Sequence, residues 1–230
     1  IVTGRMELAT RVTRWKNEKP KPLGQITGAV IYHRNMEIPG LPSRDVLVWL
    51  PPGYDEDAAE RYPVLYMHDA QQVFDPATST HKIDWQIDET ATRLISERKM
   101  RPIIVVAVNC SSNRFSEYSD TREGKIYRDF LVKQLKPLID QTYRTLPDRA
   151  HTAVMGSSMG GRISFLLAWE NPDVFSMAGC LSSAFFGALP KEVDSYEGPD
   201  KKLRFYMDNG GVGLEKYLQP GSDWMLEALQ

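Results

Sequence analysis

Gly156-Ser157-Ser158-Met159-Gly160 carries the spacing G-x-S-x-G, and another glycine, Gly161, follows it. A serine hydroxyl at the centre of such a stretch can attack an acyl carbon. It needs a base to take its proton, a carboxylate to orient the base, and N–H donors to hold the oxyanion. The glycines have a steric reason. A serine raised on a sharp turn sits in a strained backbone conformation, so the residues two before and two after it must be small to clear it. The rival account makes Ser157 and Ser158 helix caps and the glycines an ordinary turn. The flanks favour the nucleophile: HTAVM reads as a buried strand and ISFLLAW as a helix, so Ser158 falls where a strand passes into a helix whose positive end faces it. The N–H of Met159 is then one oxyanion donor. The second is expected from the loop His68-Asp69-Ala70-Gln71-Gln72, through the N–H of Ala70 or Gln71, with the amides of Gln71 and Gln72 lining the pocket. The alternative is an ordinary polar loop.

These groups must be carried by a scaffold, and the apolar patterning supplies one. TGAVIYHR and DVLVWLPP, separated by IPG, read as an antiparallel pair. PVLYMHD, PIIVVAVNC, HTAVMG, FSMAGCLSS and KLRFYMDNG are short apolar runs of the kind that fill strands covered on both faces. Between them, IDWQIDETATRLISERK, KIYRDFLVKQLKPLIDQTYRTL and MGGRISFLLAWENP have helical spacing, with Pro137 expected to kink the second. SDWMLEALQ ends the chain in a helical pattern. Alternating strands and helices predict an α/β fold with a mostly parallel sheet and an N-terminal hairpin. Residues 1–26, with the basic, proline-rich KNEKPKPLG, read as a linker or strap ahead of one domain over 27–230.

Composition excludes several functions. Lys and Arg number 28 against 30 Asp and Glu, a net charge of −2, which gives no field for nucleic acid or an anionic membrane. The expected partner is a small molecule without strong charge. No apolar run approaches the roughly 20 residues of a membrane span, so the chain reads as soluble, with cytoplasmic and secreted or periplasmic locations both open. IVTGRMEL has neither an initiator Met nor a signal-peptide layout, which points to a processed or trimmed chain. Cys110 and Cys180 fall in or beside buried strands and read as small core hydrophobes, with a disulfide as the alternative. Neither C-x-x-C nor H-E-x-x-H occurs, so no metal is expected, and the serine chemistry needs no cofactor.

The stretches RYPVLYMHDAQQVFDPAT, IDWQIDETATRLI, NRFSEYSD, TAVMGSSMGGRISFLLAW and KLRFYMDNGG, in this order, resemble the α/β-hydrolase esterases of the enterochelin-esterase-like family, which includes feruloyl and acetyl-xylan esterases. Ala70 stands where the family usually has glycine. The resemblance implies a serine carboxylic-ester hydrolase with Ser158 as nucleophile. It implies a triad acid at or just after the end of the seventh strand, in MDNGGVGLEK, where Asp208 is the first choice and Glu215 the reserve. Trp85, Arg114, Glu117 and Tyr118 fall on its D-W and R-x-x-E-Y stretches. His68, Gln72, Trp85, Arg114 and Glu117 are accordingly placed around the substrate pocket. Trp85 would stack on an aromatic or sugar group or else pack in the core, and Arg114 would pair with Glu117. Some similar esterases carry a carbohydrate-binding-like domain upstream, which the N-terminal stretch would join.

The base is the difficulty. The fold calls for a histidine after the acid, and the four histidines, His33, His68, His81 and His151, all precede the serine. His151 lies at the far end of the elbow strand, and His68 is expected to position the oxyanion loop instead. His81 sits in a loop, and His33 is expected on the surface. The expectation is therefore a chain lacking the last strand and histidine loop. An acyltransferase on the same scaffold and an inactive binding protein are the alternatives.

Overall fold

In the computed structural model, residues 26–229 are described. Apart from Ile26, the predicted linker lies outside them. β1 (Ala29–Ile38) and β2 (Leu41–Leu50) form the expected hairpin, turning at Gly40 with φ +90°, a left-handed angle that suits glycine. β3 (Val64–His68), β4 (Ile104–Val108), β5 (Thr152–Ser157), β6 (Met177–Leu181) and β7 (Arg204–Asp208) are the five predicted core strands. All lie in one seven-stranded sheet of order β1-β2-β4-β3-β5-β6-β7. β2 runs antiparallel to β4, and every pair from β4 to β7 is parallel.

The continuous apolar runs are explained by cover on both faces. Along β2, Val46, Val48 and Leu50 enter one buried cluster while Leu47 and Trp49 enter the other. On β4, Ile104, Val106 and Val108 alternate in the same way with Val105 and Ala107. The smaller cluster takes Ala91 of α1 (Ile87–Ser96). The larger takes residues of α3 (Arg122–Phe130), α4 (Lys136–Thr142) and α5 (Met159–Glu170), the helix after the elbow, nearly all of which is buried.

Four elements differ from expectation. The helix predicted to kink at Pro137 instead widens into a π-helical segment, Leu131–Leu135, between α3 and α4. Proline has no N–H and its ring crowds the carbonyl four residues back, and the wider turn relieves both. A single turn, α2 (Arg114–Glu117), and a short helix, α6 (Leu189–Asp194), are too brief to show periodicity. The last helix, α7 (Glu215–Ala228), starts seven residues before the predicted pattern and runs through Pro220. There Gly221 lies so close against the Phe185 carbonyl that a methyl group would clash, and this contact overrides the break that Pro-Gly suggests.

Because β3 to β7 are parallel, the loops that follow them gather along one edge of the sheet, where open α/β sheets place their ligands.

Candidate active site

The elbow forms as the glycine spacing requires. Ser158, between β5 and α5, has φ 58° and ψ −119°, a conformation that side-chain-bearing residues rarely adopt. Its N–H donates to Leu181 O at 2.9 Å, and its own carbonyl accepts from Gly161 N, Arg162 N and Ala184 N. A methyl group at Gly156 would strike the backbone of Gly160, and one at Gly161 would strike Ser183 Oγ. These glycines let the strand, the helix and the loop after β6 close on one another. Met159 is the first residue of α5, so its N–H has no acceptor within the helix and points with the positive helix end toward the serine's side.

The loop after β3 turns sharply at Asp69, φ 61°, into a short 3₁₀ helix, Ala70–Gln72. Ala70 and Gln71 open that turn, so their N–H groups are unused by it, and Ala70 is fully buried. Both glutamine side chains are engaged. Gln71 Nε2 donates to Cys110 Sγ at 2.8 Å and its Oε1 accepts from Cys110 N, tying the loop to the end of β4. Gln72 bonds Ser79 and Thr80 and so braces the loop that leads to α1, while its carbonyl accepts from Trp85 N. Trp85 is half-buried against the smaller core cluster.

A residue overlooked in the sequence reading holds this loop in place. The Asp69 carboxylate takes a two-pronged bond from Arg114, Nε to Oδ1 and Nη2 to Oδ2, each 2.7 Å, and Arg114 Nη2 also donates to Ser157 O at 3.2 Å. One guanidinium thus links the loop after β3 to the residue before Ser158. The expected pairing of Arg114 with Glu117 is therefore corrected. Glu117, at the other end of the α2 turn, pairs with Arg44 of β2 at 2.8 Å and 3.1 Å. Glu117 and His68 are both fully buried, so neither presents a surface to a ligand. His68 instead packs between Tyr118 and Tyr127, with Nδ1 2.8 Å from the Tyr127 hydroxyl. Burial outweighs the nearby Asp69 charge and lowers its pKa to about 3.

The other histidines are held elsewhere. His151 ends a 3₁₀ turn before β5 and bonds Asp148, at the opposite end of that strand. His33 is half-buried, not on the surface as expected, with Nε2 2.7 Å from the Tyr143 hydroxyl. His81 is exposed in its loop.

On the far side of the elbow, Ser157, Leu181 and Asp208 stand in one row across β5, β6 and β7. Two strand spacings separate Ser157 from Asp208, about 10 Å. Asp208 Oδ1 accepts from Ser182 N at 3.1 Å. Glu215 begins α7 and lies packed over Gly210. Cys110 and Cys180 are both free thiols, and burial raises the pKa of each. Among the described residues, no helix is long and apolar enough to cross a membrane.

With this geometry in view, comparison with known proteins gives a consistent picture. The family model "Putative esterase" matches residues 42–211. An endo-1,4-β-xylanase/feruloyl esterase of Xylanibacter ruminicola is 29% identical over 154 residues, covering 64% of this chain and 20% of that protein. An uncharacterised protein of Bacillus subtilis is 21% identical over 63% of this chain and 58% of its own length. This chain thus spans about a fifth and somewhat under two thirds of these curated relatives. Among solved structures, a ferulic acid esterase superposes with a TM-score of 0.72 at 21% identity, covering 88% of this chain and 86% of its own. The enterobactin esterase of Shigella flexneri, solved with enterobactin, gives 0.70 at 17% identity over 92% of this chain and 52% of that one. The shared architecture is the α/β-hydrolase sandwich.

Proposed function

This chain belongs to the esterase family, and on that premise we propose that it hydrolyses a small carboxylic ester, aromatic or carbohydrate-linked, through an acyl-enzyme on Ser158. The observation that carries this reading is the conformation of Ser158, φ 58° and ψ −119°, at the junction of β5 and α5. A backbone so disfavoured persists because the surrounding glycines over-determine it, and its consequence is a hydroxyl raised clear of the sheet. The relative named as a feruloyl esterase supports the class of substrate.

In this mechanism Ser158 Oγ attacks the ester carbonyl, and the carbonyl oxygen, now negative, is held by the N–H groups of Met159 and of Ala70 or Gln71. Such donors, fixed before the charge develops, account for about 10²–10³ in rate each. Arg114 keeps the two donor segments at a constant separation through Asp69 and Ser157. Collapse expels the alcohol, and water releases the acid. Asp208 is the orienting carboxylate, favoured over Glu215 by its row with Ser157. The mechanism calls for a proton acceptor between the two, for which a histidine is the ordinary residue. His68 is sealed from solvent, and His33, His81 and His151 have the placements given above.

The test is a burst experiment on the intact gene product with p-nitrophenyl acetate. The expected result is a stoichiometric burst followed by turnover, both abolished in Ser158→Ala. Acyl transfer to added glycerol in preference to water would move the reading to an acyltransferase. Neither burst nor turnover in the intact protein would leave a binding protein.

A further inference from the structure

The loop after β6 is bonded to Ser158 and to Asp208 at once. Ser158 N donates to Leu181 O at 2.9 Å, at the end of β6, and Ala184 N donates to Ser158 O at 3.1 Å. Between them the chain turns at Ser182 with φ 39°, a left-handed residue at the end of the strand next to the elbow strand. The Ser182 N–H faces Asp208, 3.0 Å from its carbonyl oxygen and 3.1 Å from Oδ1. One short segment thus connects the proposed nucleophile to the proposed acid.

Arg162, in the first turn of α5, clamps that segment. Its N–H donates to Ser158 O at 3.2 Å. Its Nη1 donates to Ala184 O at 3.1 Å and to Phe186 O at 2.7 Å, and the guanidinium lies 4.7 Å from the Phe186 ring. Phe186 in turn stacks on Phe115 with ring centroids 5.9 Å apart, and the two residues are 43% and 64% exposed. An arginine is a costly choice at this position. It is 7% exposed, its Nε is buried with no partner among the described residues, and burial pushes its pKa below the ordinary value although Asp120 and Glu192 are near. A buried cation that no carboxylate bonds is less favourable than an apolar side chain of the same volume, so packing does not explain it. Two carbonyls held by one planar group do.

We infer that Arg162 is a positioning residue, which sets Ser158 against Asp208 by holding the loop between them; the inference rests on the reading of the chain as a serine esterase. Releasing the two carbonyls lets the loop shift, and a displacement of about 1 Å near reacting groups can cost about 100-fold in rate. Arg162→Met in the intact gene product should therefore lower kcat for p-nitrophenyl acetate about 10–100-fold, with KM held within about twofold. The same substitution should cost little further in an Asp208→Asn background, where the alignment it serves is already lost. An equal factor in both backgrounds, or full kcat in Asp208→Asn, would overturn the inference.

A second arm does not depend on turnover. Native-state hydrogen exchange should show the Ser182 and Ala184 amides exchanging about tenfold faster in Arg162→Met, with the amides of β5 and β6 unchanged. Arg162→Lys keeps the charge but not the planar fork, so it should fall between the parent and Arg162→Met in both measurements, and it serves alone if Arg162→Met does not fold. Loss of kcat without faster exchange, or faster exchange without loss of kcat, counts against the clamp. Turnover in the parent with kcat unchanged in the variants removes the positioning role and keeps the esterase. Faster exchange with no turnover in the parent removes the esterase reading, and the role with it.

Discussion

Two ion pairs leave opposite ends of the single turn α2, and water reaches them very differently. Arg44 and Glu117 are sealed, with side chains 2% and 0% exposed, whereas Arg114 is 30% exposed over an Asp69 of 4%. Both are two-pronged and short. The sealed pair joins β2 to α2 beneath the site, where neither charge has an alternative partner in solvent, so it matters to whether the chain folds. The open pair joins two segments whose relative position matters to the proposed reaction, and water can replace part of it. Burial, more than distance, separates a structural charge pair from a positioning one.

The most severe way to break that contrast is Glu117→Ala. It strands the Arg44 guanidinium in the interior and should cost about 3–5 kcal/mol in urea or thermal unfolding. A loss below about 1 kcal/mol would show that water reaches Arg44 and that the two pairs are alike.

His68, which sits between the two pairs, sharpens the contrast through pH. Its folded pKa of about 3 lies below the ordinary value of 6.5. The folded protein keeps it neutral while the unfolded chain protonates. Its contribution is therefore complete above pH 6.5 and lost as pH falls toward 3, at about 1 kcal/mol per pH unit. Unfolding free energy measured from pH 7 to 4 should show this slope, and His68→Phe should flatten it. An equal slope in both proteins would place the acid sensitivity elsewhere.

Arg114→Ala should lower kcat by about 10–100-fold, a barrier increase of roughly 1–3 kcal/mol, while unfolding stability changes by about 1 kcal/mol or less. Arg114→Lys should not restore the rate, because an ammonium lacks the planar fork. If stability falls as far as in Glu117→Ala while kcat holds, the assignment of Arg114 as a positioning residue fails. The smallest effect belongs to Ser158→Gly, which relieves the left-handed strain at the elbow. It should raise stability by about 1 kcal/mol in the same unfolding assay as activity disappears.

Much of this was legible in the chain. The strands followed from apolar runs, and the elbow from glycines whose spacing is a steric requirement. The legibility ended where partners are chosen across the fold. Arg114 and Glu117, three residues apart, satisfy the local rule for a helical pair, yet each bonds a residue far off in sequence, Asp69 and Arg44 respectively. His68 read as near the pocket because it ends a central strand, but its ring is sealed between Tyr118 and Tyr127. Phe115 and Phe186 showed no pattern at all, since nothing in their neighbourhoods indicates that two loops bring their rings together.

The sequence by itself determined what depends on neighbours along the chain: strand and helix periodicity, the glycines that clear Ser158, and the family pattern around them. Only the tertiary structure decided which guanidinium meets which carboxylate, which histidine is closed off, and which aromatic rings face solvent together. The physical reason is range. Sterics and periodicity act over a few residues, whereas the energy of a charge or an exposed ring is set by burial and by partners that meet only when the sheet has assembled.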